Sequence, residues 1–171
     1  MSHPYLVLRF RRATGCFPNV LVPRTYHEKM LWRKLFDHSP LFEVFSDKLR
    51  SKEYVKAVCP SLRLPKVHWV AQDATELLRL PFPAGTVLKA NHGFKMNHFI
   101  RDGSLNFPKL IAMASGWLKT TFGVKDHQWG YFNVPRKLFL EQLIRPVDGL
   151  GLMDISVRCA DGRPIIGSIS M

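Results

Sequence analysis

The sequence is poor in the residues that build disulfide or metal frameworks. Its three cysteines, Cys16, Cys59 and Cys159, lie far apart, and none belongs to a CxxC pair. The seven histidines show neither HxxxH nor HExxH spacing. An odd number of scattered cysteines predicts reduced, buried thiols rather than disulfides or a zinc site. We therefore expect no structural transition metal.

Long apolar runs are also missing. No stretch reaches the roughly 18 apolar residues that a membrane-spanning helix needs. The N-terminus does not have the order of a secretory signal, because Arg9, Arg11 and Arg12 follow the short apolar stretch instead of preceding it. Hydrophobic residues make up 46 % of the chain and include 12 Phe and 4 Trp, which is enough for a core. We expect a cytoplasmic protein, and peripheral binding at the inner membrane surface stays open.

The familiar catalytic motifs are absent as well. The sequence contains no GxSxG nucleophile elbow, no GxxxxGK[ST] phosphate loop and no Cys/His spacing typical of a nucleophile. Asp154 and Asp161 flank a predicted strand, so a paired-carboxylate site is not indicated either. No residue is therefore predicted to be catalytic from the sequence alone.

Basic residues, in contrast, are abundant. The net charge is +12 and the pI is about 10.0. Residues 1–60 carry 11 Lys and Arg against 5 Asp and Glu, and residues 61–171 carry 14 against 8, so the excess is spread evenly. Even spreading favours a general attraction to polyanions such as nucleotides, acidic polysaccharide or anionic lipid. A nucleic-acid partner would rest on the pI alone, and a basic surface without a specific partner also stays open.

Hydrophobic periodicity predicts an α+β fold with an N-terminal helical segment followed by an antiparallel sheet with packed helices. Thr25 and Glu28 have capping-box spacing and begin a helix that reaches Asp37. A second helix follows Ser46 and ends before Pro60. The predicted elements after residue 65 are strands at 66–70, 86–90, 97–101 and 138–144, helices after Asp73 and Asn106, and a hairpin around Asp161-Gly162.

Three residues could carry chemistry. Lys89 ends a strand beside Asn91 and Gly93, which can leave regular β geometry so that backbone N–H groups converge on a phosphate. Lys48 lies in the first turn of a helix, where phosphates bind. Glu141 interrupts an apolar strand and could border an adenine slot. Each side chain could instead simply face solvent.

The order of several segments resembles the TupA-like ATP-grasp family, bacterial proteins of teichuronopeptide and other surface-polysaccharide biosynthesis. The resemblance covers roughly residues 20–171, and its segments are "PRTYHEKMLWRKLFD", "SDKLRSKEYV", "VLKANHG" and "QWGYFNVPRKLFLEQLI". It implies two α+β subdomains that hold ATP with Mg²⁺, and the chemistry of carboxylate–amine ligases. The corresponding division is an N-terminal helical segment (1–62), a first subdomain (63–137) and the start of a second (138–171).

The resemblance also implies a set of site residues. Lys48 and Lys89 match lysines that meet the ATP phosphates, and Gly93 and Asn97 match the loop that covers them. Asp148 is the candidate for the ribose. The remaining implied positions are Asn91 and His92 in the "KANHG" element, and Glu141, Gln142, Leu143 and Ile144 in the hinge beside the adenine.

The sequence departs from the family pattern at several points. Phe94 and Lys95 replace small loop residues, and Ser156 stands where a cation is expected. The family's metal-binding acid and Asn lie on strands beyond the hairpin, where this sequence ends. We therefore expect a truncated or degenerate member, or a piece completed by another polypeptide, with weak or absent activity alone. The alternative is a non-catalytic basic module that binds acidic glycan or an anionic membrane-associated assembly.

Overall fold

The computed structural model of the protein describes residues 3–101, 104–145 and 153–170. Within these ranges the chain is a mixture of helices and antiparallel strands, so the predicted α+β class is confirmed. The helices are Pro4–Thr14 (α1), Tyr26–Phe36 (α2), Leu41–Ser46 (α3), Lys48–Val58 (α4) and Phe107–Lys119 (α5), and the strands are Val67–Ala71 (β1), Thr86–Ala90 (β2), Asn97–Ile100 (β3), Leu138–Gln142 (β4), Asp154–Ala160 (β5) and Arg163–Ser170 (β6). Two 3-10 helices span Ala74–Arg79 and Trp129–Tyr131.

Local capping residues determine where the helices begin. The Thr25 hydroxyl accepts a hydrogen bond from the Glu28 N–H, and the Glu28 carboxylate accepts one from the Thr25 N–H, so the predicted capping box begins α2. Asp47 caps α4 and accepts from Leu49 N–H at 2.9 Å. The sequence did not predict α1 and α3. With six residues, α3 is too short for periodicity to identify, and α1 has no side-chain N-cap to signal its start.

Four strands form one sheet in the order β1-β4-β2-β3, and every neighbouring pair is antiparallel. β4 therefore lies inside the first sheet, although the predicted boundary at residue 137 assigned it to a second subdomain. One face of the sheet packs on α5 and on the first 3-10 helix, and buries Leu77, Leu88, Leu138, Leu140 and Ile100 almost completely. Each such side chain contributes roughly 1.5–3 kcal/mol to stability.

β5 and β6 form a separate two-stranded sheet. Asp161 and Gly162 have φ values of 49° and 73°, which the tight turn between the strands requires, so the predicted hairpin is confirmed. Every residue of the two strands is exposed. The hairpin nevertheless contributes Met153, Asp154 and Ser170 to a cavity against the first sheet.

The prediction of buried cysteines is wrong, because Cys16, Cys59 and Cys159 are all exposed and none forms a disulfide. Cys16 follows the end of α1, Cys59 follows α4, and Cys159 lies on the exposed hairpin.

In the described ranges, no helix is both long enough and apolar enough to cross a membrane.

Candidate functional site

Six of the predicted site residues meet at a cavity of about 510 Å³ between the first sheet and the β5–β6 hairpin. Strand alternation explains the convergence. Val87 and Lys89 lie on the same face of β2, opposite the face that packs on α5. Asn97 on β3 is the register partner of Lys89, and Glu141 on β4 is the partner of Val87. Six predicted residues line this cavity: Lys89, Asn97, Glu141, Gln142, Leu143 and Ile144.

Glu141 is the electrostatic centre of the cavity. Its side chain is 5 % exposed, and its Oε1 accepts a hydrogen bond from the Lys89 ammonium. Its Oε2 lies 2.9 Å from Lys52 Nζ, an ion-pair distance, but without the alignment of a hydrogen bond. This buried Oε2 makes no hydrogen bond to any described residue. Because Oε2 has almost no exposed surface, a ligand does not reach it, and the Lys52 ammonium compensates its charge.

Lys52 is a site residue that sequence reasoning missed. Its side chain is 21 % exposed, and its ammonium reaches Glu141 from α4. The signal in the sequence was the spacing of Lys48 and Lys52, four residues apart, which puts both on one face of the predicted helix. The sequence offered no indication that this face turns toward Glu141.

Lys48 is engaged by the protein itself. Its ammonium donates to the carbonyl oxygens of Ala90 (2.9 Å), Asn91 (3.5 Å) and Gly93, and its backbone N–H donates to the Asn91 carbonyl at 3.1 Å. Burial lowers the pKa of Lys48 to about 8, and the positive charge of Lys89 acts in the same direction. Three acceptors match the three donors of an ammonium. Lys48 therefore holds the loop after β2 against the start of α4.

Asn91 faces into the protein and not toward the cavity. The side chain is fully buried, its Nδ2 donates to Pro135 O at 2.8 Å, and its Oδ1 accepts from Lys137 N–H at 2.8 Å. The Asn91 backbone N–H donates to Lys137 O at 3.1 Å. All three bonds connect the loop after β2 to the segment that enters β4. Asn91 is thus a positioning residue in this structure.

His92 is buried as well. Its Nδ1 lies 3.1 Å from Asn91 Oδ1 and its Nε2 lies 3.0 Å from the Trp117 carbonyl. Both neighbours are acceptors, so a neutral ring satisfies one of them with its single N–H. Burial lowers the pKa of His92, and the charges of Arg136 and Lys48 add to this effect. The residue anchors the loop to the end of α5 and does not line the cavity.

The tip of the loop differs from a phosphate-covering loop. A Cβ built on Gly93 would lie 2.5 Å from Met96 Sδ, so packing of Met96 requires a glycine there. The Phe94 ring is 67 % exposed, and Lys95 Nζ lies 5.5 Å from its centroid. Lys95 itself has φ = 61°, an uncommon conformation for a residue with a side chain. The large residues that replace the family's small ones therefore point into solvent.

The predicted hinge follows β4. The Gln142 N–H donates to Lys66 O at 2.9 Å, and the Leu143 N–H donates to Gly85 O at 3.0 Å. While these bonds persist, neither backbone N–H can donate a hydrogen bond to the edge of a purine base. Ile144 is 60 % exposed and lines the cavity with its side chain. Asp148, the candidate for the ribose, lies outside the described residues.

The cavity can hold an anion through Lys89 and Asn97, next to a slot lined by Leu143 and Ile144. Its volume lies in the range of about 300–1,000 Å³ that is usual for ligand pockets. No group of three or more His, Cys, Asp and Glu side chains that could hold a metal occurs among residues 3–101, 104–145 and 153–170. Within the same ranges two carboxylates line the cavity, Glu141 and Asp154, and Glu141 is already paired with two lysines. The described residues therefore do not fit a Mg²⁺ site.

Fold and site together define an α+β protein with a cleft, lined by Lys89 and Glu141, between an antiparallel sheet and a hairpin. Comparison of the chain with protein-family models, with curated proteins and with solved structures finds no match.

Proposed function

We propose that this chain is a degenerate ATP-grasp protein that binds a nucleotide, related to the TupA-like proteins of bacterial surface-polysaccharide biosynthesis and to ATP-dependent carboxylate–amine ligases. One observation supports the proposal most directly. Six residues from three separate segments, each implied by the family resemblance, line one cavity of ligand size. The antiparallel sheet facing a hairpin across this cavity agrees with a nucleotide held between two β layers.

Each cavity residue has a role in this proposal. Lys89 binds the phosphate groups, because its side chain is 28 % exposed and remains accessible beside Glu141. Asn97, next to Lys89 on β3, adds an amide donor. The apolar side chains of Leu143 and Ile144 border the base. Glu141 keeps Lys89 in position through Oε1 and pairs with Lys52 through Oε2.

Lys48, Asn91 and His92 act through the loop in this proposal and do not contact the nucleotide. Their bonds to backbone carbonyl groups and to one another fix residues 90–93, which connect Lys89 to the loop tip. A rigid loop lowers the entropy that ligand binding would otherwise cost. We therefore assign them positioning roles.

We propose that catalysis by this chain alone is weak or absent. ATP-grasp ligases activate a carboxylate as an acyl phosphate, and Mg²⁺ supplies charge neutralisation in such phosphoryl transfers. Because the described residues do not fit a Mg²⁺ site, we derive no catalytic step for them. Nucleotide binding through Lys89 requires no such step.

Calorimetry with ATP, with and without Mg²⁺, tests the proposal. We expect binding by the wild type, and a loss of about tenfold or more in affinity for Lys89→Met, because a hydrogen bond to a charged group contributes about 1.5–3 kcal/mol. Lys109→Met is the control, since Lys109 is an exposed lysine on α5 away from the cavity.

Equal affinities of wild type and Lys89→Met would refute the role of Lys89, and no binding by the wild type would refute the nucleotide site. Tight binding that depends strictly on Mg²⁺ would contradict the incomplete metal site. Thermal unfolding of each variant, measured in parallel, separates lost affinity from lost folding.

A further inference from the structure

A second cavity lies at the opposite end of β2 from the loop after Ala90. We call it the basic cavity. Its volume is about 750 Å³, and its walls come from residues 63–68, 83–86 and 142–145. Residues 142–144 also line the cavity between the first sheet and the β5–β6 hairpin, which we call the nucleotide cleft. This segment therefore separates the two cavities.

Basic side chains line the basic cavity. Arg63 and Lys66 come from the segment that enters β1, His68 lies on β1, and Arg145 comes from the segment that leaves β4. No Asp or Glu is among the lining residues that the structure describes. Within the described residues, none of these four side chains forms a salt bridge or hydrogen bond. Gathering like charges is unfavourable unless an anion compensates them.

Backbone bonds fix the walls of this cavity. Lys66 O accepts from the Gln142 N–H at 2.9 Å, and Gly85 O accepts from the Leu143 N–H at 3.0 Å. The Gly85 N–H donates to Ile100 O at 2.9 Å, and the Thr86 hydroxyl donates to Pro83 O at 2.6 Å. Each wall is therefore bonded to the first sheet, and the cavity exists before a ligand arrives.

Gly85 lets Arg145 lie against the wall. A Cβ built on Gly85 would be 2.7 Å from an Nη atom of Arg145, and Gly85 has φ = 73°, which favours glycine. The guanidinium thus lies against the backbone of Gly85. A planar guanidinium suits carboxylate and phosphate groups.

We propose that the basic cavity binds a small ligand that carries two or more carboxylate or phosphate groups. Two groups are expected because the cations come from two segments, with Arg63 and Lys66 before β1 and Arg145 after β4. The site does not depend on the nucleotide proposal. If both sites are real, an acidic ligand and a nucleotide bind on either side of residues 142–144.

Titration calorimetry with two probes tests the proposal and identifies the anion. Trigalacturonate presents carboxylates, and inorganic pyrophosphate presents phosphates. The pyrophosphate titration uses the Lys89→Met background, so that the nucleotide cleft does not contribute. Binding of either probe supports the proposal, and the stronger probe identifies the preferred group.

Charge-matched variants separate a specific site from the general effect of net charge. We expect Arg63→Gln/Arg145→Gln to weaken binding about tenfold or more, since each charged contact contributes at least that order. Arg12→Gln/Arg50→Gln removes the same charge from exposed positions on α1 and α4 and is expected to weaken binding less than about twofold. The single variant Arg145→Gln replaces the double variant if the latter unfolds.

Equal weakening in both double variants overturns the proposal, because it would mean attraction by net charge alone. Absence of binding by both probes at low salt overturns it as well. ATP titrations in the Arg63→Gln/Arg145→Gln background, where the basic cavity does not contribute, distinguish this outcome from failure of the nucleotide site. In that background, adding Lys89→Met is expected to weaken ATP binding about tenfold or more. Lys89→Met alone is expected to bind trigalacturonate like the wild type.

Discussion

Replacing Glu141 by Gln is the sharpest test of the site's electrostatics. The substitution keeps the shape of the side chain and removes the charge that pairs with both Lys52 and Lys89. Those two lysine side chains are 21 % and 28 % exposed, so water screens their charges only in part. Lys48 adds a third positive charge nearby. The variant therefore leaves a cluster of lysines without its carboxylate.

The magnitude follows from two opposing terms. Two opposite charges 2.9 Å apart, as for Lys52 and Glu141, attract by about 6 kcal/mol at an effective dielectric constant of about 20. The loss of water from the three groups offsets much of this attraction. Removing one partner of a buried pair typically costs about 3–5 kcal/mol. Because the lysines retain some water, we expect Glu141→Gln to lower the free energy of unfolding by about 3 kcal/mol.

Urea denaturation followed by tryptophan fluorescence measures this loss. Glu53→Gln is the matched control, since Glu53 is an exposed residue of α4, and its effect should stay within about 0.5 kcal/mol. The double variant Glu141→Gln/Lys89→Met should recover about 1 kcal/mol, because it removes one of the uncompensated charges. If Glu141→Gln is as stable as the control, the carboxylate does not compensate the lysines and the reasoning is wrong.

Two further predictions concern the loop after β2. Asn91→Ala leaves Pro135 O and the Lys137 N–H without their partner, so the free energy of unfolding should fall by about 3 kcal/mol in urea titrations, against less than about 0.5 kcal/mol for the exposed Asn97→Ala. His92 has a lowered pKa because of burial, so the unfolded chain binds its proton first as the pH falls below about 6.5, and stability should decrease from there. The same titrations at several pH values should give a flatter profile for His92→Gln, and identical profiles would contradict the assignment.

The sequence by itself determined the local elements, because their signals are local. Thr25 and Glu28 satisfy the first amides of α2 with their own side chains, and Asp161-Gly162 supplies the positive φ values of the hairpin turn. Alternation along β2 and β4 put Lys89 and Glu141 on the face away from the apolar core residues, so their presence at one cavity could be expected.

Only the tertiary structure decided which of the candidate residues face that cavity. The strand order β1-β4-β2-β3 and the approach of α4 bring Lys52 to Glu141, which are distant in sequence. Asn91 and His92 look like ligand-binding residues in the sequence, yet both point inward. The physical reason is that buried polar groups must find partners, and theirs are carbonyl and N–H groups supplied by α5 and by the segment before β4. No local sequence pattern predicts those long-range partners.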